Sequence, residues 1–177
     1  MELVLDDGCR IYKSYPEDWK KIKERIIEID EKAFEKRYRD TEKSMERIFT
    51  DSENLNLIAY ARDKLCGYSI GGSMKKFKDR SKKPWIYPSL EGIDDSDVFY
   101  IYGTGIDPKF QGNGIGTKLK KVQIDLVKSM GYKAMTSHAL NDIIKHIEGK
   151  FGFKEKGYIE KEGTYMVLIF NDENDNK

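Results

Sequence analysis

A glycine-rich turn near the middle of the sequence constrains the fold more than any other feature. It joins a strand-like run at residues 98–102 to an amphipathic helix that we predict over residues 115–130. Gly112, Gly114 and Gly116 lie in the turn, and amides that have no neighbouring Cβ can approach a ligand closely. The first amides of a helix are unpaired and lie at the positive end of its dipole. The turn therefore predicts a binding site for phosphate or pyrophosphate.

Two well-known phosphate-binding motifs do not match this turn. A Walker motif needs Gly-Lys-Ser/Thr at its end, but Gly116 is followed by Thr117 and then Lys118. The dinucleotide motif needs a glycine at a position that Thr117 or Leu119 occupies here. A nucleotide-binding enzyme of another type, using the same amides, stays open as an alternative.

The rest of the chain predicts an α/β (α+β) class with helices and strands interleaved around one central sheet. One domain is predicted over residues 1–170, followed by a polar tail at 171–177. A basic stretch at residues 75–83 is interpreted as a solvated loop. Hydrophobic periodicity and turn residues predict helices that start at residues 17, 41 and 141, and strands at 55–60, 65–70, 133–137, 153–159 and 164–170.

Composition argues against several classes of protein. The chain has 32 Lys and Arg against 31 Asp and Glu, a net charge of +1, so we expect no nucleic-acid partner. Its apolar runs are too short to span a bilayer, and no secretory signal is visible, so we expect no membrane association and a cytoplasmic location. The two cysteines and two histidines form no metal-binding pattern, so no metal is expected.

The turn resembles the acetyl-CoA-binding signature of the GCN5-related N-acetyltransferase (GNAT) superfamily, Gln/Arg-x-x-Gly-x-Gly/Ala. Gln111, Gly114 and Gly116 match that signature in register. The family places an apolar residue and a proline just upstream, where this chain has Ile106 and Pro108.

A second motif of the family is also present, at the correct distance. The family shows an asparagine at a helix start and a Gly-Phe pair at the end of that helix, and Asn141 and Gly152-Phe153 reproduce this spacing. The resemblance covers nearly the whole chain. It implies a single-domain acyl-CoA N-acyltransferase fold, with a mixed, mostly antiparallel sheet flanked by helices and containing two splayed parallel strands.

The resemblance also implies acetyl-CoA as a co-substrate. The backbone of residues 104–106 would bind the pantetheine arm and that of residues 111–117 the pyrophosphate. Asn141 would reach the cofactor, or it is simply a helix cap. The residues assigned in this way are Thr104, Gly105, Ile106, Gln111, Gly112, Asn113, Gly114, Ile115, Gly116, Thr117 and Asn141.

The reaction that the resemblance implies is direct transfer of an acetyl group from acetyl-CoA to an amine within a ternary complex. An alkylamine has a pKa near ~10.4, so a base must remove its proton. The family often has a carboxylate where this chain has Tyr100, a poor base unless its pKa is shifted. Asp97 is the next candidate, and Glu35 is a weaker one.

The group that protonates the leaving thiolate is also atypical. The family often uses a tyrosine in its last helix, where this chain has Glu148. Either Tyr158, Tyr132 or a water replaces it, or coenzyme A leaves as a thiolate; Glu148 could donate a proton only if burial favoured its protonated form. This gap favours a second hypothesis, a non-catalytic acyl-CoA-binding or interaction module.

The acceptor is expected to be an amine. An acidic run at residues 91–97 makes a polycationic amine a candidate, and the alternative is a solvated acidic loop. A monomer and a homodimer are both compatible with the sequence.

Overall fold

A computed structural model of the chain describes residues 2–6 and 8–170. The predicted class is confirmed, because the strands form a mixed sheet with helices against it. The described residues belong to two compact units, one drawn from Met1–Gly71 with Tyr102–Gln123 and the other from Gly72–Ile101 with Ile124–Lys177. One domain over residues 1–170 stays a prediction. The polar tail predicted at 171–177 lies outside the described residues.

The strands of the first unit follow one another along the chain and across the sheet. β1 to β4 are paired antiparallel, and the second half of β5 comes next to β4. Arg62 and Asp63 join β3 to β4 with positive φ angles of 49° and 60°, which suit a tight hairpin turn. The bounds are β1 Glu2–Asp6, β2 Cys9–Ser14, β3 Leu55–Ala61, β4 Lys64–Ser73 and β5 Val98–Ile106.

Two helices of this unit have the amphipathic patterns that the sequence predicted. α1 (Trp19–Ala33) buries residues spaced by three or four, and α2 (Glu42–Phe49) starts after Thr41, whose side chain accepts a hydrogen bond from the Ser44 amide. Trp19 stacks on Phe49 with ring centroids 5.2 Å apart. The apolar faces of the two helices therefore share one aromatic contact.

The second unit contains a parallel pairing, between β5 and β6. The first half of β5 pairs with β6 at Val98, Phe99 and Tyr100, and this parallel ladder ends at the pair Tyr100–Thr136. The order is β5-β6-β8-β7, and the last two pairings are antiparallel. The remaining elements of this unit are α3 Met74–Arg80, β6 Ala134–Ala139, α5 Asp142–Lys150, β7 Lys154–Ile159 and β8 Gly163–Ile169.

α3 corrects the sequence interpretation, because the stretch read as a solvated loop begins with a helix. Met74 is completely buried and fixes the first turn, while Lys75 forms an ion pair with Asp79 one turn later at 3.1 Å. The apolar pattern here is one pair three residues apart, Met74 and Phe77, among charged residues, which is too short to indicate a helix. The predicted helix after the glycine-rich turn is confirmed as α4 (Ile115–Ser129), which begins in the first unit and ends in the second.

Gly105 in β5 lies directly against a buried aromatic ring of the first unit. A Cβ added at Gly105 would meet the Tyr68 ring at 2.6 Å, and Tyr68 is only 1% exposed. The Tyr68 hydroxyl donates a hydrogen bond to Asp30 at 2.7 Å, which holds the ring in place. This position of β5 therefore requires glycine.

We predict that Gly105→Ala lowers the free energy of unfolding by about 1–3 kcal/mol, because a buried, hydrogen-bonded ring has to move. Gly103→Ala, in the same strand, is the matched control, since no described heavy atom lies within 4 Å of its added Cβ. Urea denaturation of both variants measures the difference. Equal losses would contradict this account of the packing.

Candidate functional site

The glycine-rich turn leaves open space where side chains would otherwise stand. Gly112 and Gly114 have φ angles of 78° and 74°, a conformation that favours glycine. An added Cβ at either position meets no heavy atom within 4 Å among the described residues. The turn is thus a shallow cradle, formed by residues 111–117 and lined by backbone.

The amides of this cradle are available because α4 starts there. The Lys118 amide donates to the Gly114 carbonyl at 2.9 Å, which is the first bond of the helix ladder. The amides from Gly114 to Thr117 precede that bond and have no carbonyl four residues back within the helix. Unpaired amides at the positive end of a helix dipole favour an anion. The geometry of the cradle is compatible with a pyrophosphate group, and the binding of that group stays a prediction.

Two polar side chains of the cradle brace it. Gln111 donates from Nε2 to the Ile106 carbonyl at 3.0 Å, and Asn113 donates from Nδ2 to the Phe110 carbonyl at 3.3 Å. Both bonds link the cradle to backbone carbonyls just before it in the chain. Gln111 and Asn113 therefore stabilise the backbone conformation of the turn.

A buried carboxylate, which the sequence did not single out, anchors the start of the turn. Asp107 is 1% exposed and accepts from the Lys109 amide at 2.9 Å and from Arg25 Nη2 at 2.5 Å. Arg25 also donates from Nε to the Leu65 carbonyl at 2.9 Å, and the Asp107 amide donates to Cys66. Burial raises the pKa of Asp107, but these hydrogen bonds and the Arg25 charge outweigh it and lower the pKa. Asp107 thus ties the turn to α1 and β4.

The strand predicted to bind pantetheine is held by a buried polar network. The hydroxyls of Thr104 and Ser69 are 2.8 Å apart, and Ser69 donates to Gln123 Oε1 at 3.0 Å. Ser69 and Gln123 are both 0% exposed. The network fixes the position of residues 104–106, the segment that leads into the cradle.

A pair of aspartates in the first unit was also missed by the sequence analysis. Asp40 accepts from the Tyr102 hydroxyl at 2.6 Å, and its amide donates to Asp30 at 3.0 Å. Burial raises the pKa of Asp40 to about 6; the Tyr102 hydrogen bond opposes this rise, and the Asp30 charge adds to it. Asp40 and Tyr102 are 62 residues apart, so no local pattern connects them.

In the second unit, Tyr100 is buried and bonded to a histidine. Its hydroxyl lies 3.0 Å from His138 Nδ1, and its ring packs edge-on against Tyr87 at 4.9 Å. Asp97 is more exposed and forms an ion pair with Lys133 at 2.7 Å. Of the two predicted catalytic residues, Tyr100 is thus the one in a buried environment. Glu35, the weaker alternative from the first unit, is exposed and pairs with Arg37.

Glu148 and Asn141 both have structural partners in the second unit. Glu148 is 1% exposed and accepts from the Ser137 hydroxyl at 2.7 Å. Asn141 caps α5, because its side-chain oxygen accepts from the Ile144 amide at 3.0 Å. The cap that the sequence left open for Asn141 is therefore observed, and its contact with a cofactor stays a prediction. Tyr158, one of the replacements considered for the missing tyrosine, is 71% exposed.

The acidic run at residues 91–97 is partly neutralised by lysines from outside it. Lys78 donates to Asp95 at 2.7 Å, and Asp94 accepts from the Ser96 amide at 2.8 Å.

Across residues 2–6 and 8–170, no three His, Cys, Asp or Glu side chains are grouped to hold a metal ion. Within the same residues, no helix has the length and apolar character needed to cross a membrane.

Comparison with known proteins identifies the family. The sequence profile of the Acetyltransferase (GNAT) family matches residues 15–153, which include the cradle, β5 and α5. This chain belongs to the GNAT family. No curated protein is similar enough in sequence to be counted as a relative.

Solved structures of GNAT proteins share the fold. The GNAT domain of S. lividans PAT has a TM-score of 0.69 at 14% identity, with 96% of each chain covered. The ribosomal-protein-S18-alanine N-acetyltransferase of Escherichia coli has a TM-score of 0.64 at 17% identity, covering 96% of this chain and 98% of that one. The PaiA N-acetyltransferase of Thermoplasma acidophilum, solved with coenzyme A, has a TM-score of 0.64 at 14% identity, covering 92% and 99%. At these identities the likeness concerns the fold.

We predict that the stability effect of Asp40→Asn depends on pH. Because folding raises the pKa of Asp40 from 3.8 to about 6, the stabilisation is complete below pH 3.8 and lost as pH rises through 6. Relative to the native chain, the Asn variant should therefore gain up to about 3 kcal/mol of unfolding free energy between pH 4 and pH 7. Urea denaturation across this range measures the gain.

Tyr102→Phe provides the companion variant, because it removes a hydrogen bond that lowers the pKa of Asp40. Carboxyl ¹³C NMR should then report a pKa of Asp40 above that of the native chain. An Asp40 that titrates near its ordinary value in the native chain would refute this description of the pair.

Proposed function

We propose that this protein is an acetyl-CoA-dependent N-acetyltransferase that moves an acetyl group directly to an amine. The observation that carries the proposal is the open backbone cradle at residues 111–117, in a chain whose family profile spans that segment. The other phosphate-binding motifs do not fit the same glycines, which leaves the GNAT signature as the match.

The cradle and the strand before it would hold the co-substrate. The amides of residues 112–117 would donate to the pyrophosphate, and the backbone of Thr104, Gly105 and Ile106 would pair with pantetheine. Because the Ile106 carbonyl already accepts from Gln111, the remaining strand groups would make most of the pantetheine contacts. Bound acetyl-CoA supplies an activated thioester, whose acetyl carbon accepts the amine.

The chain's own residues have to handle the amine proton. Tyr100 and Asp97 are the proposed groups, and the structure supports them unequally. The Asp97 carboxylate forms an ion pair with Lys133. Tyr100 is only 6% exposed, and its hydroxyl is hydrogen-bonded to a nitrogen of His138. A buried hydroxyl beside a base is better suited to proton transfer than a solvated ion pair. We therefore place Tyr100 first.

The acceptor is proposed to be a primary amine. Two carboxylates of the acidic run, Asp95 and Asp97, are neutralised by Lys78 and Lys133, so the run contributes less to attracting a polycation than its composition indicates. A polyamine, an aminoglycoside and a lysine side chain are the acceptor candidates. We also propose that the protein is cytoplasmic and that it is a monomer or a homodimer.

One observation favours a second candidate, a non-catalytic acyl-CoA-binding module. Glu148 occupies the place of the usual tyrosine, is buried, and already accepts a hydrogen bond from Ser137. Because the Glu148 side chain is buried and hydrogen-bonded, it is not available to protonate a leaving thiolate. A module that binds coenzyme A without turnover would need no such acid.

We predict that Gly114→Asn weakens coenzyme A binding about 10- to 100-fold, because a side chain would fill the cradle and block charge-assisted hydrogen bonds. Asparagine tolerates positive φ better than other non-glycine residues, so the backbone should be retained. Gly131→Asn is the matched control, with a φ of 85° and no described heavy atom within 4 Å of its added Cβ.

Isothermal titration with coenzyme A, ATP and NAD measures the effect in all three proteins. Coenzyme A should bind to the native chain and the Gly131 variant alike. An unchanged affinity in a folded Gly114 variant would remove the basis of the proposal. Preference for ATP or NAD over coenzyme A would favour a nucleotide-binding enzyme instead.

Turnover is tested by thiol release from acetyl-CoA across a panel of primary amines, including an amino-acid amide, a polyamine and an aminoglycoside. We expect release with at least one acceptor and an acetylated product detected by mass spectrometry. Coenzyme A binding without release on any of them would support the non-catalytic module.

A further inference from the structure

A tyrosine–histidine pair lies in the second unit inside a group of aromatic rings. Tyr100 and His138 are joined by their 3.0 Å contact, and the ring of Phe77 lies 5.4 Å from that of Tyr100. Tyr165 lies 5.4 Å from the His138 ring, and its hydroxyl donates to the Pro88 carbonyl at 2.9 Å. Tyr165 therefore packs against the pair while its own hydroxyl is bonded elsewhere.

The environment keeps the His138 ring neutral near pH 7. Burial lowers the pKa of His138, and this effect outweighs the charges of Glu162 and Glu148 and the backbone of Ile86, which raise it. A neutral imidazole has one accepting and one donating nitrogen. The Tyr100 hydroxyl can donate to Nδ1 or accept from it, and a proton relay requires the tautomer in which Nδ1 accepts and Nε2 carries the ring proton.

The other ring nitrogen is beside the backbone of Ile86. His138 Nε2 is fully buried, and its contact with Ile86 opposes the lowering of the His138 pKa, although it is outside ordinary hydrogen-bond geometry. The Tyr100 hydroxyl is at Nδ1, on the opposite side of the ring. The two ring nitrogens therefore have different neighbours, and only Nδ1 faces a group with a transferable proton.

We propose that His138 is a positioning residue that accepts the proton of Tyr100 when Tyr100 takes a proton from the amine substrate. This inference rests on the proposed acetyl transfer, because it assigns a role within that reaction. Tyr100 Oη would be the atom that meets the substrate, and His138 would act through it. A lone tyrosine, with a pKa of ~10, is a poor base. A histidine that takes its proton would allow Tyr100 to accept one from the substrate.

The protons and electrons balance in this scheme. The amine arrives as an ammonium ion; one proton passes to Tyr100 Oη while the tyrosine proton passes to His138 Nδ1, which gives an imidazolium. The neutral amine forms the carbon–nitrogen bond, and the carbon–sulfur bond breaks with its electron pair on sulfur. The second amine proton goes to that sulfur, and the imidazolium later releases its proton to water through Tyr100.

Two consequences follow from this scheme. The leaving thiolate takes its proton from the amine, directly or through water, so Glu148 is not needed as an acid. The scheme also favours acceptors of low pKa, because a buried neutral histidine is a weak base. An α-amino group, with a pKa of about 7.7–8.0, is easier to deprotonate than a lysine side chain near ~10.4.

The test combines His138→Gln, Tyr100→Phe and the double variant, assayed as kcat against pH with an amino-acid amide as acceptor. Glutamine can still accept the tyrosine hydrogen bond but cannot take the proton. Each single variant should lower kcat about 100-fold, in the range of general-base effects, and the double variant should be no worse than either. The acid limb of the pH profile should disappear in His138→Gln. Tyr165→Phe, which removes a hydroxyl from the same aromatic group, should keep the native profile.

A measurement on the protein alone separates this proposal from the acetyl-transfer proposal. Imidazole ¹⁵N NMR of the native chain should show the Nε2–H tautomer of His138, and Tyr100→Phe should shift its Nδ1 resonance. An Nδ1–H tautomer would overturn the relay whatever the activity. Native kcat and pH profile in a folded His138→Gln would also overturn it. Absence of thiol release by the native chain, with the expected tautomer, would refute the acetyl transfer and the catalytic role of the pair together.

Discussion

The structure around the candidate site depends on one constraint, the exposed backbone amides at the turn between β5 and α4. A helix cannot satisfy its own first amides, and most proteins cap them with a side chain. Here the turn contains glycines with positive φ instead, and the space beside them is open. The positive helix end therefore faces open space. We interpret this turn as a binding site for the diphosphate of coenzyme A, and the alternative is a simple strand-to-helix connection.

Such a turn has to be held rigidly, because its amides must keep one arrangement to bind a ligand. The buried Asp107 provides this, through Arg25 on one side and the Lys109 amide on the other. Upstream, the Thr104–Ser69–Gln123 network fixes the strand. Breaking a buried charge pair is costly, because it leaves an unpaired ion in the interior. Buried side chains outside the cradle therefore hold it in place, together with the hydrogen bonds of Gln111 and Asn113 within the turn.

Sequence reasoning found the features that are local in the chain. The periodicity of α1, the Thr41 cap, the strands on either side of Arg62 and Asp63 and the glycine turn are all patterns within a few residues of each other. It missed the partners that come from distant parts of the chain. Asp107 with Arg25, Tyr102 with Asp40 and Tyr100 with His138 are separated by 82, 62 and 38 residues. No spacing rule connects such residues, since tertiary packing alone brings them together. α3 was missed for another reason, because its single apolar pair, Met74 and Phe77, is too short a pattern to indicate a helix.

β5 thus has two hydrogen-bonded tyrosines, and each is bonded to a titratable group of its own unit. Tyr102 donates to Asp40 in the first, and Tyr100 is bonded to His138 in the second. In the proposed mechanism, the Tyr100–His138 pair would take the place of the carboxylate that the resemblance to the GNAT family leads one to expect in this strand.

The most direct test of the central claim is a crystal structure of the protein with coenzyme A. The account predicts diphosphate oxygens within about 3.2 Å of backbone nitrogens between Gly112 and Thr117, with Gln111 still bonded to Ile106. A diphosphate bound elsewhere on the protein, or held only by lysine and arginine side chains, would contradict the account.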